Sequence, residues 1–322
     1  MGVRHGGDTP RYLSAAEDLL AGRAFGGPGG WVYVGYNGLI AFCETIGVGQ
    51  VGLILVQILV AALATLALYD LGRQLAGPVA GLLAGGFFIL DYDIAQWHVY
   101  VLTDSLYISL VALATWMVHR AVGGGMRRYL EAAGVLTLAA LIRPNGWILI
   151  PIAAIYWIAR TRLGVRYKYA AALGVSLLCA GVAVAIVMTQ LGPRSQLAPT
   201  DRATLEARSQ RLPFARVITI RGGLDPIESS RRLANVLLHV QSTFSFWHNA
   251  ALLAVVAVVY PLAVWGFVRA RKKSVSRLMA VVIAGHLFIV AVTFNDRDGR
   301  YLLYSFPLMM VLAAGGAVAL RR

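Results

Sequence analysis

The stretch VGQVGLILVQILVAALATLALY, residues 48–69, decides the fold, because no side chain in it is charged. A helix rises about 1.5 Å per residue, so about 20 apolar residues cross the roughly 30 Å hydrocarbon core of a bilayer. The whole chain has the same character, with 58% hydrophobic residues, 14% charged residues and a mean hydropathy of +0.68. That composition leaves too little polar surface to cover a soluble globule. The sequence therefore predicts an integral membrane protein.

Further apolar segments of suitable length follow along the chain, some of them interrupted by Gly or Pro, which membrane helices tolerate. The predicted fold is an all-α polytopic bundle of about nine spans, whose extracytoplasmic loops contain short amphipathic helices. The predicted spans are 48–69, 77–91, 102–120, 130–143, 144–160, 170–191, 248–268, 278–294 and 301–320.

Basic residues set the predicted orientation, because short loops rich in Lys and Arg stay in the cytoplasm. One set of alternate loops holds 15 of the 29 Lys and Arg residues, including every lysine, and only two acids, Asp70 and Glu131, lie on that side. We therefore expect this set to be cytoplasmic. It comprises residues 70–76, 119–129, 160–169, 269–277 and 321–322.

This orientation divides one membrane domain into four parts. They are a first extracytoplasmic loop with interfacial helices at 1–47, a transmembrane bundle at 48–191, an extracytoplasmic loop at 192–247, and C-terminal spans at 248–322. The loop 192–247 carries eight arginines, but long loops escape the charge rule. Its mixture of apolar and basic residues favours a cover over the site. Residues 1–47 contain no span, which suggests a missing first helix, through a late start codon or a true truncation.

Polar residues at the outer ends of spans are the candidates for function, because ionisable groups are costly near a bilayer. The first cluster is Gly7-Asp8-Thr9-Pro10-Arg11-Tyr12, followed by apolar residues at helical spacing. It predicts a short surface helix. Asp8 is equally well explained as the N-cap of that helix or as a catalytic carboxylate.

The second cluster contains Asp91, Asp93, Gln96 and His98, and it ends in Thr103-Asp104 at the start of a span. Asp104 could cap the helix, face a cavity or help to hold a cation. His98 is better explained as an interfacial hydrogen-bonding residue than as a metal ligand, because no partner lies at a ligand spacing.

Two further clusters are basic. Arg143 precedes Pro144 in a tight turn between apolar runs, where it could snorkel to lipid headgroups or bind phosphate oxygens. Arg297 and Arg300 lie just before Tyr301 and the last span. An ordinary charged loop would look the same, but two arginines and a tyrosine at the membrane surface suit a lipid phosphate.

The order of these motifs resembles the GT-C superfamily of membrane glycosyltransferases. The motifs are G-D-x-x-x-Y at 7–12, L-T-D at 102–104, L-I-R-P at 141–144 and D-G-R-Y at 298–301, before a last span that contains proline. The most similar branches are the protein O-mannosyltransferases, the aminoarabinose transferases and the transferases of the lipopolysaccharide core.

The resemblance implies transfer of a sugar from a polyprenyl-phosphate donor to a hydroxyl acceptor on a lipid, glycan or protein. Asp8 matches the family's base, and Asp104 matches an acidic residue at the next outer turn. The positions that match residues around the donor phosphate are Arg143, Arg297, Arg300, Tyr301 and Tyr12. Attack of a hydroxyl on an anomeric carbon needs a carboxylate to take the proton and positive charge to stabilise the departing phosphate.

Other expectations complete this interpretation. No metal-ligand spacing or nucleotide motif is visible, so we expect no metal site and no required cofactor, with a divalent cation as an open alternative. Membrane lipids are expected partners and nucleic acid is not. The expected location is a bacterial cytoplasmic (inner) membrane. The rival functions are a transporter or lipid flippase, which would place charges near the membrane midplane, and an inactive GT-C relative with a binding role.

Overall fold

The computed structural model describes residues 3–23, 31–160, 246–293 and 299–321, with isolated helical positions between 160 and 246. Within these residues the protein is helical, and the predicted all-α membrane fold is confirmed. The helices are α1 (Thr9–Leu20), α2 (Val34–Thr45), α3 (Gly49–Ala76), α4 (Pro78–Leu90), α5 (Tyr92–Trp97), α6 (Thr103–Ala121), α7 (Met126–Ile142), α8 (Leu149–Arg160), α9 (Phe246–Ala270), α10 (Ser274–Thr293) and α11 (Phe306–Leu320). Short 3-10 turns precede α2, α8 and α11 at Trp31–Tyr33, Pro144–Ile148 and Gly299–Tyr304.

Each predicted span within the described residues coincides with a helix. The described helices that are long and apolar enough to cross a bilayer alone are α3, Leu252–Ala270 of α9 and Ser274–Ala291 of α10, while α4 and α11 are shorter apolar helices. The predicted span at 170–191 lies outside the described residues, apart from one helical position. The proposed covering loop at 192–247 also lies almost entirely outside them.

Helix α3 extends further than the apolar pattern predicted, because residues 70–76 form its last turns and not a loop. Asp70 explains the extension. Its carboxylate accepts hydrogen bonds from Arg73 Nη2 at 2.7 Å and from Gln74 Nε2 at 2.8 Å on the same helix. It also accepts one from Trp116 Nε1 of α6 at 2.8 Å. Polar residues at i+3 and i+4 thus continue the helix beyond the apolar segment.

A tight turn at Gly77 folds α4 back against α3. Gly77 has φ 97°, a conformation that residues with a side chain rarely adopt. The two helices then approach closely, because a Cβ atom on Gly72 would lie 2.7 Å from the carbonyl oxygen of Ala80. A Cβ on Gly81 would lie 2.6 Å from that of Tyr69. Small residues of this kind allow close packing of membrane helices.

Glycine residues also allow α9 and α11 to cross at close range. A Cβ atom on Gly266 would overlap the carbonyl oxygen of Leu312, and one on Gly316 would overlap that of Leu262. Both obstacles are backbone atoms, which cannot rotate away as a side chain can. The crossing therefore depends on the absence of a side chain at either position.

We expect Gly266→Ala to lower the thermal unfolding temperature of the purified protein, because the added methyl group forces α9 and α11 apart. Overpacking of this kind costs about 1 to 3 kcal/mol. Gly86→Ala in α4 is the matched control, since a Cβ atom there would meet nothing within 4 Å. Equal unfolding temperatures for the two variants would contradict the proposed close crossing.

The N-terminal segment, residues 3–8, is tied to the connection between α5 and α6 by backbone atoms. Arg4 N donates to Val99 O at 2.9 Å, and Val101 N donates to Arg4 O at 3.0 Å. Thr9 Oγ1 then donates to Val101 O at 2.9 Å and accepts from Gly6 N at 2.8 Å. The start of α1, with Asp8, is thereby fixed beside the residues that lead into Asp104.

Candidate functional site

A buried ion pair lies where α6 begins and α7 ends. Arg143 Nη1 lies 3.1 Å from Asp104 Oδ1, and both side chains are about 95% buried, with exposures of 6% and 5%. Arg143 Nη1 also donates to Thr103 Oγ1 at 2.6 Å. Tyr304 donates its hydroxyl proton to the same Asp104 oxygen at 2.7 Å. Three distant parts of the sequence therefore meet at one carboxylate.

The backbone conformation that Pro144 imposes on the preceding residue directs Arg143 into this cluster. Its backbone is extended, with φ −152° and ψ 135°, because the following Pro144 disfavours helical geometry in the residue before it. Helix α7 therefore ends, and the 3-10 turn Pro144–Ile148 folds back on it. The turn lies so close that a Cβ atom on Gly146 would overlap the backbone of Ala139. The Arg143 side chain then points to α6 instead of continuing along α7.

Tyrosine rings surround the guanidinium group of Arg143. Its central carbon lies 4.7 Å from the ring centroid of Tyr304 and 5.7 Å from that of Tyr301. Such cation–π contacts favour a cation, more strongly when it is desolvated. Tyr12, which is 2% exposed, reaches the same cluster from α1, close enough for Arg143 and Asp104 to influence its ionisation. Burial raises the pKa of Tyr12 to about 12, so its hydroxyl stays protonated at neutral pH.

The guanidinium of Arg143 has hydrogen-bonding capacity to spare. Its Nε atom is buried and has no hydrogen-bond partner among the described residues. A buried donor without a partner costs about 1 to 3 kcal/mol. Snorkelling to the lipid surface does not describe this residue, which is 5% exposed. The arrangement is that of a cation fixed in place, with one buried donor group left unsatisfied.

Asp8 lies at the edge of this cluster and not inside it. Its side chain is 44% exposed, and its nearest cation is Arg11, at 3.9 Å. The carboxylate makes no capping hydrogen bond to α1, so the structure does not support the capping explanation. Arg11 in turn lies over the rings of Tyr12 and Tyr33, at 5.2 and 4.8 Å from their centroids. Asp8 is thus an accessible carboxylate on a helix whose other face packs against the tyrosines.

The remaining acidic residues of the second cluster have structural partners. Asp91 caps α5 by accepting from Ile94 N at 2.9 Å, and Asp93 accepts from Gln96 Nε2 at 3.0 Å. His98 hydrogen-bonds Ser105 through Nδ1 and packs its ring against Phe88. In the part of the chain that the structure describes, no three His, Cys, Asp or Glu residues are grouped closely enough to hold a metal ion.

Acidification should destabilise the protein through His98, which lies outside the membrane-spanning helices. Burial lowers its pKa to about 4 from the ordinary 6.5. Between pH 6.5 and pH 4 the unfolded chain therefore takes up a proton that the folded protein refuses, and stability falls as the pH falls. We expect a loss on the order of 2 to 3 kcal/mol across that interval. Thermal unfolding temperatures that fall equally in wild type and His98→Asn would contradict this role.

The structure thus joins Tyr12, Asp104, Arg143 and Tyr301, which the sequence had placed in four separate motifs. Arg297 lies outside the described residues, and of Arg300 only the backbone is described. No separate role was predicted for Thr103, which lies in the L-T-D motif, and Tyr304 was not predicted, although it follows Tyr301 at a helical spacing of three. Nor was Tyr107 predicted, which lies edge-on to Tyr304 at 5.0 Å and shares a 2.7 Å hydrogen bond with His286.

Part of the sequence matches a known protein family. Residues 36–186 match the family model described as dolichyl-phosphate-mannose-protein mannosyltransferase, which is just under half of the chain. The match includes Asp104 and Arg143, whereas Asp8 and Tyr301 lie outside it. No individual curated protein matches the sequence significantly.

Two solved structures are similar over nearly the whole chain. The first is the archaeal oligosaccharyltransferase AglB from Archaeoglobus fulgidus in complex with an inhibitory peptide and a dolichol-phosphate. It has 14% identity and a TM-score of 0.56, over 96% of this chain and 45% of that one. The second is ArnT from Cupriavidus metallidurans in the apo state. It has 14% identity and a TM-score of 0.59, over 100% of this chain and 57% of that one. The chain therefore spans about half the length of either protein, and the likeness shows a shared fold.

Proposed function

We propose that this chain, an integral membrane protein with the fold of the GT-C glycosyltransferases, transfers a sugar from a polyprenyl-phosphate donor to a hydroxyl acceptor. The observation that carries the proposal is the buried Arg143, fixed by Asp104 and Tyr304 beside the helix that presents Asp8. A fixed cation and an accessible carboxylate on neighbouring elements are the two groups that such a transfer needs.

Asp8 is the base in this proposal. A general base must take the proton from the acceptor hydroxyl, and the half-exposed carboxylate of Asp8 is open to such an acceptor. The other candidate, Asp104, is 3% exposed and already binds Arg143 and Tyr304. We therefore assign Asp104 the role of holding Arg143 in position.

The arginines neutralise the phosphate that leaves. As the bond between the sugar and the phosphate breaks, negative charge develops on the departing oxygen, and a preorganised guanidinium stabilises it. Arg143 is preorganised by its ion pair, and its buried Nε, which has no partner among the described residues, would reach a phosphate oxygen if the donor headgroup enters the cluster. In this proposal Arg297 and Arg300, which precede Tyr301 in the sequence, add further positive charge, and Tyr12 and Tyr301 line the same space.

The family name and one similar solved structure support a lipid-linked donor. The matched family is named for a dolichyl-phosphate sugar, and the AglB structure contains a dolichol-phosphate. Under the charge rule, the basic residues 269–277 around the end of α9 support a cytoplasmic location for that end, and we propose that the reaction occurs on the opposite, extracytoplasmic side. We propose a bacterial cytoplasmic membrane as the location.

The direct test is transfer of radiolabel from polyprenyl-phosphate sugars in membranes that contain the protein. Label that moves to an acceptor only when the protein is present supports a transferase. Movement of the donor across vesicle membranes without breakage of the sugar-phosphate bond would instead identify a flippase. Donor binding without either process would identify an inactive relative, and both of these results would overturn the proposal.

A further inference from the structure

A cavity of about 360 Å³ lies at the far end of the bundle from Asp104, where α3, α9 and α11 all end. Helix α3 runs about 40 Å between the two ends of the bundle, at about 1.5 Å per residue over 28 residues. The volume is within the range of small-ligand sites, about 300 to 1,000 Å³. The lining residues that matter here are Leu75, Gly77, Gly266, Arg269, Lys273 and Gly315.

Close helix packing forms the inner wall of the cavity. Gly266 lies against the backbone of Leu312, and a Cβ atom on Gly315 would lie 2.6 Å from Leu75 Cδ2. The wall is therefore apolar and fixed in shape. The cavity is lined by the last turn of the apolar helix α9, which ends at Ala270, and we expect the end of a membrane span to lie at the height of the lipid headgroups.

Both charged residues that line the cavity are cations. Arg269 is exposed and lies 4.5 Å from the ring centroid of Trp265, which orients its guanidinium. Lys273 Nζ donates to Leu75 O at 2.8 Å and to Gln74 O at 3.2 Å, and so caps the carbonyl end of α3. Neither cation has a carboxylate within salt-bridge distance among the described residues. On this side, Asp70 pairs with Arg73 and Glu131 with Arg127.

The backbone at the start of α4 also favours an anion in the cavity. Gly77 lines the cavity and directly precedes α4, which begins at Pro78. The N-terminus of a helix carries partial positive charge and unsatisfied N–H groups. The carbonyl ends of α3, α9 and α11 oppose this effect, but Lys273 already satisfies two carbonyls of α3. The net local charge remains positive.

We propose that this cavity binds a phosphate-bearing anion, the phosphodiester headgroup of an anionic phospholipid in the adjacent leaflet. Arg269 contacts the phosphate oxygens, Lys273 supplies its remaining donor, and the acyl chains run down the apolar surface of α9. Basic pockets between membrane helices select anionic headgroups by this chemistry. The site is separate from the transfer site and does not depend on the proposed activity.

The test measures lipid binding by the full chain in detergent, by native mass spectrometry with added phosphatidylglycerol, phosphatidylcholine or inorganic phosphate. We expect phosphatidylglycerol to bind in preference to phosphatidylcholine. Arg269→Gln should weaken its apparent affinity roughly ten-fold, because one charge-assisted interaction is lost. Arg271→Gln is the matched control, since Arg271 is exposed on the same turn but does not line the cavity.

Three outcomes would overturn the proposal. Equal binding of both phospholipids would remove the charge preference, and equal weakening by Arg271→Gln would indicate attraction to the whole basic loop. Inorganic phosphate that competes fully at the concentration of the lipid would identify a soluble anion as the ligand. If Arg269→Gln also lowers stability without lipid, Arg269→Lys separates the effects, because it retains the charge and should retain most of the lipid preference.

Discussion

Asp8→Asn should abolish sugar transfer while leaving the protein folded and inserted in the membrane. The asparagine has the size of aspartate but cannot accept the proton of the attacking hydroxyl, and general-base catalysis contributes about 100 to 10,000-fold in rate. Little stability should be lost, because the Asp8 carboxylate makes no capping hydrogen bond and its one ion pair, with Arg11, is long and exposed. Transfer rates at saturating donor and thermal unfolding temperatures measure the two effects separately.

The same helix provides a control for the loss of charge. Glu17 is exposed on α1, and Glu17→Gln removes one negative charge from that helix. Its transfer rate should equal that of wild type. Full activity in Asp8→Asn would exclude Asp8 as the base and make Asp104 the next carboxylate to test, despite its burial.

Arg143→Met should be the most destabilising of the substitutions considered. It leaves Asp104 buried with its cation removed, and breaking one side of a buried ion pair costs about 3 to 5 kcal/mol. Transfer should also be lost, because the cation that stabilises the leaving phosphate is gone. A large fall in the thermal unfolding temperature, with protein still present in the membrane fraction, is the expected result.

The double variant Asp104→Asn with Arg143→Met distinguishes stability from function. Neither residue of the pair is charged in this variant, so no unpaired charge is buried. The thermal unfolding temperature should therefore rise most of the way back to that of wild type. Transfer should not return with it. If activity recovered together with stability, Arg143 would be a structural residue only, and its assignment to the donor phosphate would be wrong.

The membrane fold could be predicted from local sequence, because the signal lies in the length of each apolar segment. Residues 48–69 alone indicated a span, and the structure places α3 there. The apolar pattern could not predict that α3 continues to Ala76. That continuation depends on hydrogen bonds from Gln74 and from Trp116 of another helix to Asp70.

The site was predicted only in part, for a similar reason. The motifs that contain Asp104 and Arg143 could be recognised separately, each with more than one explanation. Their contact depends on the angle at which α7 meets α6, which no spacing along the chain encodes. Snorkelling remained open for Arg143 on sequence grounds, and only its burial of about 95% decides against it. Tyr304 could not be assigned until the turn before α11 was placed against Asp104.

The backbone ties of the N-terminal segment have an evolutionary consequence. Main-chain atoms of Arg4, Val99 and Val101 make the pairing, so side chains at these positions can drift among homologues without loosening it. Insertions and deletions are different, because one residue gained or lost between Arg4 and Asp8 would shift the carboxylate relative to the anchored backbone. Selection in this segment should therefore act on the number of residues more than on their identity.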